Sequence, residues 1–231
     1  LNEINITKNI FIVIKNLVKQ GDYSLFWKII KYRFHSKTVA FGFRQDLESD
    51  QIKRRALIPI TIRKHVKGDE VFFTNNNSTV LIEKLNTCYV AINKENTPCF
   101  KCWLIDSSQN SKLNEFWDGT FPSLKTGEVL LESAFTVPKY RGFGIMPAAI
   151  SLILELAKEQ GFNEVITYVP EKNINSIRTI AYVGFLPFIT RIEKWFLFRK
   201  MVTFVPITDN LMDYYNKITN EIPKTPLKPH N

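Results

Sequence analysis

Gly142 and Gly144 stand two residues apart, in a turn between an apolar run at 128–137 (EVLLESAFTV) and a strong helical pattern at 145–160. Residues without side chains let a polyanion come close to the backbone. The first N–H groups of the following helix have no partner inside it, so they can donate to phosphate oxygens, aided by the helix dipole. Pro147 is tolerated in that first turn, where its missing N–H costs little. Lys139 and Arg141 add positive charge beside it. A lone G-x-G turn also serves many purely structural purposes, so its chemistry depends on its surroundings.

Groups able to move a proton lie on the neighbouring strands. Glu132, in the middle of 128–137, is the best-placed carboxylate for a general base, and Glu128 near the strand's start is the alternate. A polar sheet face is the competing explanation for Glu132. Packing competes in the same way for Tyr168, on the strand expected at 164–169. No Ser/His/Asp or Cys/His arrangement stands out, which argues against a covalent intermediate. Cys99 and Cys102 form a single C-x-x-C, but a zinc site needs two more ligands and the histidines are His35, His65 and His230. Strand alternation over 99–106 is expected to send the two cysteines to opposite faces, so no metal site is expected. The three cysteines suit a reducing compartment better than a disulfide framework.

The elements that must hold these residues can be read from periodicity. Gly161 stops the helix at 145–160, whose apolar face carries Ile145, Ala149, Leu152 and Leu156. After the strand at 164–169, Asn173 is a helix N-cap and Gly184 a stop for a second helix at 173–183. The aromatic and β-branched stretch 185–205 reads as two more strands. Upstream, a strand is expected at 57–64, a short helix at 78–86, and a hairpin of strands at 88–93 and 99–106. Residues 107–125 read as a polar, turn-rich insertion containing Trp117 and Phe121. The order strand, turn, helix, strand, helix, strands defines an α/β sheet around a β-α-β core.

The chain of 231 residues carries a net charge of +9. Residues 1–37 hold seven Lys or Arg against Glu3 and Asp22, a net of +5. Ile6, Ile10, Val13 and Leu17 recur at helical spacing, and a second, aromatic-rich helix is expected at 24–34. These helices either pack on the main domain or a second subunit, giving a homodimer, or rest as a basic amphipathic element on a membrane surface. The divisions expected are a helical appendage and linker at 1–50, the main domain at 51–205 and a tail at 206–231, which carries a short helical candidate at 209–219 and then turns rich in Pro and Lys. The chain opens on Leu1, and no run near it has the length of a signal or a membrane anchor. Cytoplasmic retention is the default expectation. No nucleic-acid signature accompanies the positive charge, so nucleic acid is not an expected partner.

The run VPKYRGFGIMPAA, residues 137–149, resembles the acyl-CoA pyrophosphate loop of the GNAT superfamily of N-acetyltransferases. A second run, NINSIRTIAYVGF at 173–185, is similar to that family's closing helix, which leads from an Asn through a small residue three positions on to a Gly-Phe pair. The resemblance covers about 127–205, extends more weakly over 57–106, and is absent from the N-terminal helices and the tail. It implies a GNAT-like mixed, mostly antiparallel twisted sheet flanked by helices. It also implies acetyl-CoA as acyl donor and direct attack by a primary amine of a small molecule, such as an amino sugar or an amino-acid-like acceptor. Backbone amides of Arg141, Gly142, Phe143, Gly144, Ile145 and Met146 would cradle the pyrophosphate. Phe135 and Val137 would pair through their main chains with the pantetheine arm, and Asn173 and Ser176 would approach the thioester.

The sequence departs from the family at two places. Met146 stands where the loop often ends in Gly or Ala, or, in the other frame, Lys139 replaces a Gln or Arg. Ile180 occupies the position where many members carry the Tyr that protonates the leaving thiolate. Tyr182, two residues on, is a candidate acid on another side of that helix. Two alternatives accordingly stay open: an acyltransferase fed by an acyl carrier protein or a longer acyl donor, and a non-catalytic acyl-CoA-binding module.

Overall fold

In a computed structural model, which describes residues 23–73, 81–82 and 84–220, the chain folds around one eight-stranded sheet. The first N-terminal helix expected from sequence lies outside the described residues. The second is α1 (Tyr23–Phe34), and it runs straight into β1 (His35–Asp46). There follow β2 (Thr61–Lys64), β3 (Cys88–Ile92), β4 (Pro98–Asp106), α2 (Asn110–Trp117), β5 (Glu128–Thr136) and α3 (Ile145–Glu159). The chain then adds β6 (Glu164–Pro170), α4 (Ile174–Val183), β7 (Leu186–Phe196), β8 (Arg199–Val205) and α5 (Asp209–Thr219). The sheet order is β2-β3-β4-β5-β6-β1-β7-β8, and every described pairing is antiparallel except β5 with β6. This is the mixed, mostly antiparallel sheet expected from sequence.

Apolar side chains fill both faces of that sheet. One layer gathers Phe41, Phe43, Phe100, Leu104 and Leu131 under α3 and α4. The other gathers Val90, Trp103, Ile105, Leu130 and Tyr168 under α2 and the loop after it. Burying one such side chain is worth about 1.5–3 kcal/mol, so the two layers together dominate the fold's stability. On α3 the core face centres on Ile145, Ala149, Ile153, Leu154 and Ala157. Leu152 and Leu156, expected on that face, are only partly buried.

Several segments differ from the sequence reading. Residues 35–46, expected inside the appendage and linker, form a strand that pairs with β6 on one side and β7 on the other. The polar insertion contains α2, whose Leu113, Phe116 and Trp117 are buried. The expected strand at 57–64 shrinks to four residues, and within the expected helix at 78–86 only 81, 82 and 84 are described as helical. The tail, by contrast, forms its expected helix as α5, which buries Ile218 and packs Leu211, Tyr214 and Tyr215 on the core. A β-bulge shifts the β3–β4 register between Ala91 and Ile92, opposite Cys99. Cys99 and Cys102 therefore share one core layer instead of facing apart. α1 packs inward through Ile29 and Arg33, the latter 4.6 Å from the Trp195 ring centre. Its other face leaves Tyr23, Trp27, Lys28 and Lys31 exposed.

Candidate active site

The site begins where β5 and β6 stop pairing. They run parallel and hydrogen-bonded only over Glu128–Glu164, Val129–Val165 and Leu130–Ile166. Beyond Leu130 the pairing with β4 continues through a bulge, since Trp103 faces Glu132 and Lys101 faces Phe135. That places Ser133 and Ala134 opposite Cys102 alone. Ser133 takes a left-handed backbone with φ +53°. A bulge bends its strand, and the residue in the rarely used conformation marks the bend. β5 turns away from β6 there, and the sheet parts.

The parting opens a cavity of about 340 Å³. Its walls include Glu132, Phe135, Met146, Tyr168, Asn173, Ser176 and Ile180, drawn from β5, β6, α3 and α4. It reaches both faces of the sheet, because Ile150 belongs to the α3 layer while Tyr168 belongs to the other. Glu132 is two residues beyond Leu130, so alternation puts it on the α2 face. It accepts a hydrogen bond from Ser133 Oγ at 3.3 Å. Tyr168 is 7% exposed, and burial pushes its phenol up to about 12, against the opposing pull of the Arg191 charge. The ring packs at 5.7 Å on Phe121 and 5.8 Å on Phe204.

The glycine turn leads into α3, whose Met146, two residues beyond Gly144, lines this cavity. Gly142 and Gly144 have φ of +85° and +69°, a backbone that a side chain would strain. A Cβ on Gly142 would meet nothing within 4 Å, so its surroundings are open to a ligand. Gly144 caps α3 without any side-chain hydrogen bond, which leaves the helix's first donors to other partners. Phe143 O accepts from Leu57 N at 2.9 Å, tying the turn to the segment before β2. That segment also holds the charged side chains of Lys53, Arg54 and Arg55. The crossing is pinned to α3 where Arg54 N donates to Ser151 Oγ at 3.1 Å and Lys53 pairs with Glu155 at 2.6 Å.

Not every expected residue lies where the sequence suggested. Val137 donates its N–H to Cys99 O at 2.9 Å, so that group faces β4 and not the gap. By alternation the Phe135 main chain does the same, and the groups turned to the gap are those of Ala134 and Thr136. The Phe135 side chain still lines the cavity. Asn173 and Ser176 line it too, with Asn173 Oδ1 accepting from Ser176 N at 3.3 Å as the cap of α4. Tyr182 is not among the lining residues. Its ring lies 3.6 Å under the Arg54 guanidinium, and its carbonyl accepts from Arg54 Nε at 2.7 Å. Ile180 does line the cavity, at the position where a phenol was looked for. Trp117 and Phe121, named in the insertion, reach the walls too, and so does Arg191 from β7, which was not singled out from sequence.

The cysteines offer no nucleophile. All three are buried free thiols, and burial pushes Cys88 up to about 12 and Cys99 up to about 11. Among the described residues no three His, Cys, Asp or Glu side chains gather as a metal site. None of the described helices is long and apolar enough to cross a membrane.

A sheet parted beside its parallel pair, with a glycine turn feeding a helix at the opening, defines the class: an acetyltransferase-type α/β fold. Residues 88–185 match the acetyltransferase (GNAT) family, and the described residues form a GNAT-like fold. Solved structures with a similar fold include a GCN5-related N-acetyltransferase from Sphaerobacter thermophilus, at TM-score 0.50 and 13% identity over 73% of this chain and 55% of that one. A GNAT-family acetyltransferase from Colwellia psychrerythraea is similar at TM-score 0.50 and 13% identity, over 69% of this chain and 56% of the other. The GCN5-related glucosamine N-acetyltransferase region of a fungal multi-domain β-N-acetylglucosaminidase matches at TM-score 0.50 and 13% identity, over 74% of this chain and 22% of that one. This chain thus spans about half the length of the first two proteins and about a fifth of the third. No curated protein matches it significantly in sequence.

Proposed function

We propose that this chain is an acetyl-CoA-dependent N-acyltransferase that moves an acetyl group to a primary amine of a small molecule. The observation that carries this reading is the parting of β5 from β6 after Leu130, which opens a cavity holding Glu132 and Tyr168 beside the glycine turn. Backbone N–H groups of 141–146 hold the pyrophosphate, and the pantetheine arm lies in the gap against Ala134 and Thr136. The amine nitrogen attacks the thioester carbonyl carbon and the carbon–sulfur bond breaks. Glu132 takes the amine proton, directly or through a water, and Tyr168 returns a proton to the departing thiolate. A phenol raised to about 12 stays protonated at neutral pH, as that role requires.

Ile180 in the cavity wall favours one alternative, a non-catalytic acyl-CoA-binding module, because it puts a hydrocarbon where the family often has an acid. A free-thiol assay with acetyl-CoA and a panel of primary amines separates the two. The enzyme reading expects amine-dependent thiol release, and Glu132→Gln lowers kcat by about 10²–10⁴-fold with the KM for acetyl-CoA nearly unchanged. Acetyl-CoA binding without thiol release for any amine leaves the binding module. Unaltered turnover in Glu132→Gln removes Glu132 from the chemistry.

A further inference from the structure

The cavity holds a charge that the proposed chemistry does not use. Arg191, on β7, is 4% exposed and lines the same cavity as Glu132. Its guanidinium carbon lies 5.1 Å from the Phe121 ring centre and 5.4 Å from that of Tyr168, and both rings line the cavity. Its Nη1 is buried without a hydrogen-bond partner. Glu193, two positions along the same strand and on the same face, is already engaged. It accepts from Trp195 Nε1 at 3.0 Å and Tyr32 OH at 3.4 Å, and pairs with Lys200 at 3.7 Å. Among the described residues no carboxylate forms an ion pair with Arg191.

A guanidinium stays charged at any ordinary pH, and burying one without an anion is expensive. An apolar side chain would fill the same space at less cost, so the charge calls for a ligand that supplies the missing partner. The aromatic faces of Phe121 and Tyr168 stabilise the cation, and its N–H fork matches a planar carboxylate better than a tetrahedral anion. A cavity of about 340 Å³ suits a small molecule.

We infer that Arg191 binds a carboxylate on the acceptor, so that the substrate class is a small amino acid whose amine meets the thioester while its carboxylate is held between Phe121 and Tyr168. This inference rests on the N-acyltransferase reading above. The test compares matched acceptors sharing one side chain: the amino acid, its amide, the decarboxylated amine and the aminophosphonate. Each is assayed with acetyl-CoA and wild-type protein, Arg191→Gln and Arg191→Lys, with acetyl-CoA binding measured separately by calorimetry.

The wild type is expected to favour the amino acid over the amide and the amine by about a hundred-fold in kcat/KM, the scale of a lost buried charge pair. Arg191→Gln erases that preference and leaves acetyl-CoA affinity within a few-fold of wild type, and Arg191→Lys keeps part of it. If Arg191→Gln does not fold, the wild-type ranking decides alone. Equal use of acid and amide, a preference for the phosphonate, a preference that survives in folded Arg191→Gln, or no turnover of any amino acid by protein that binds acetyl-CoA would each overturn the inference. Failure of the wild type to bind acetyl-CoA would instead strike the reading beneath it.

Discussion

Lys101 lies fully buried on β4, its Nζ 4.9 Å from the Phe73 ring centre and 5.1 Å from that of Trp103, with no hydrogen-bond partner. Loss of hydration lowers its ammonium from the ordinary 10.5 to about 8. Below about pH 8 the group is charged in both folded and unfolded chains, and the folded state bears the cost of the buried charge. Between about 8 and 10.5 the unfolded chain binds more protons, so stability rises with pH through that window. Thermal melts from pH 7 to 10 should show this upward component, and Lys101→Met should remove it while raising the melting temperature at pH 7. A wild-type and variant difference independent of pH would contradict the assignment. At this scale the sequence named candidate residues but not where they point. Glu132 and Tyr168 line one cavity, while Tyr182 is drawn away by its stack on Arg54.

Among the elements, β1 shapes the site without touching the chemistry. Gly42 pairs with Tyr168 on β6 and Ile189 on β7. A Cβ there would stand 2.5 Å from Ile189 Cγ2 and 2.9 Å from Tyr168 Cε1. The bare backbone at Gly42 therefore gives Tyr168 its place in the wall. Gly42→Ala should cost about 1–3 kcal/mol, as overpacking does, and should lower kcat by moving Tyr168; denaturant titration and the thiol assay read the two effects. Wild-type stability together with wild-type kcat would contradict this role. β1 escaped sequence reading because its run HSKTVAFGFRQD has charged ends and a glycine at its centre, features that weaken a strand pattern. Tertiary pairing on both edges overrides that weakness. α2 escaped for the opposite reason: Leu113, Phe116 and Trp117 do recur at helical spacing, but within only eight residues of polar sequence. The strand, turn, helix, strand, helix run from β5 to α4 was legible because glycines, an Asn cap and long periodic patterns all mark its boundaries.

In the whole molecule, two apolar layers clamp a sheet that is parted at one place, and the chemistry collects there. Under the proposed function the glycine turn supplies the anion-binding backbone, and Arg191 is the cation in the wall formed from β7. The two motifs that marked the family flank the same opening. Arg191 stayed hidden because it meets Phe121 and Tyr168 only through sheet closure across long sequence separations. The basic segment at 53–55 was hidden likewise, since its nearness to Gly144 depends on a crossing over α3 that no local pattern announces.

The central claim is that acetyl-CoA occupies this gap with its phosphates on the turn. Calorimetric titration of acetyl-CoA into the wild type and into Gly142→Glu, a change that enters open space and brings a negative charge to the cradle, tests it most directly. The account predicts micromolar binding to the wild type and a loss of at least about ten-fold in the variant, at least the 1.4 kcal/mol that such a factor represents. Equal affinity in both proteins, or no binding to the wild type, would contradict it.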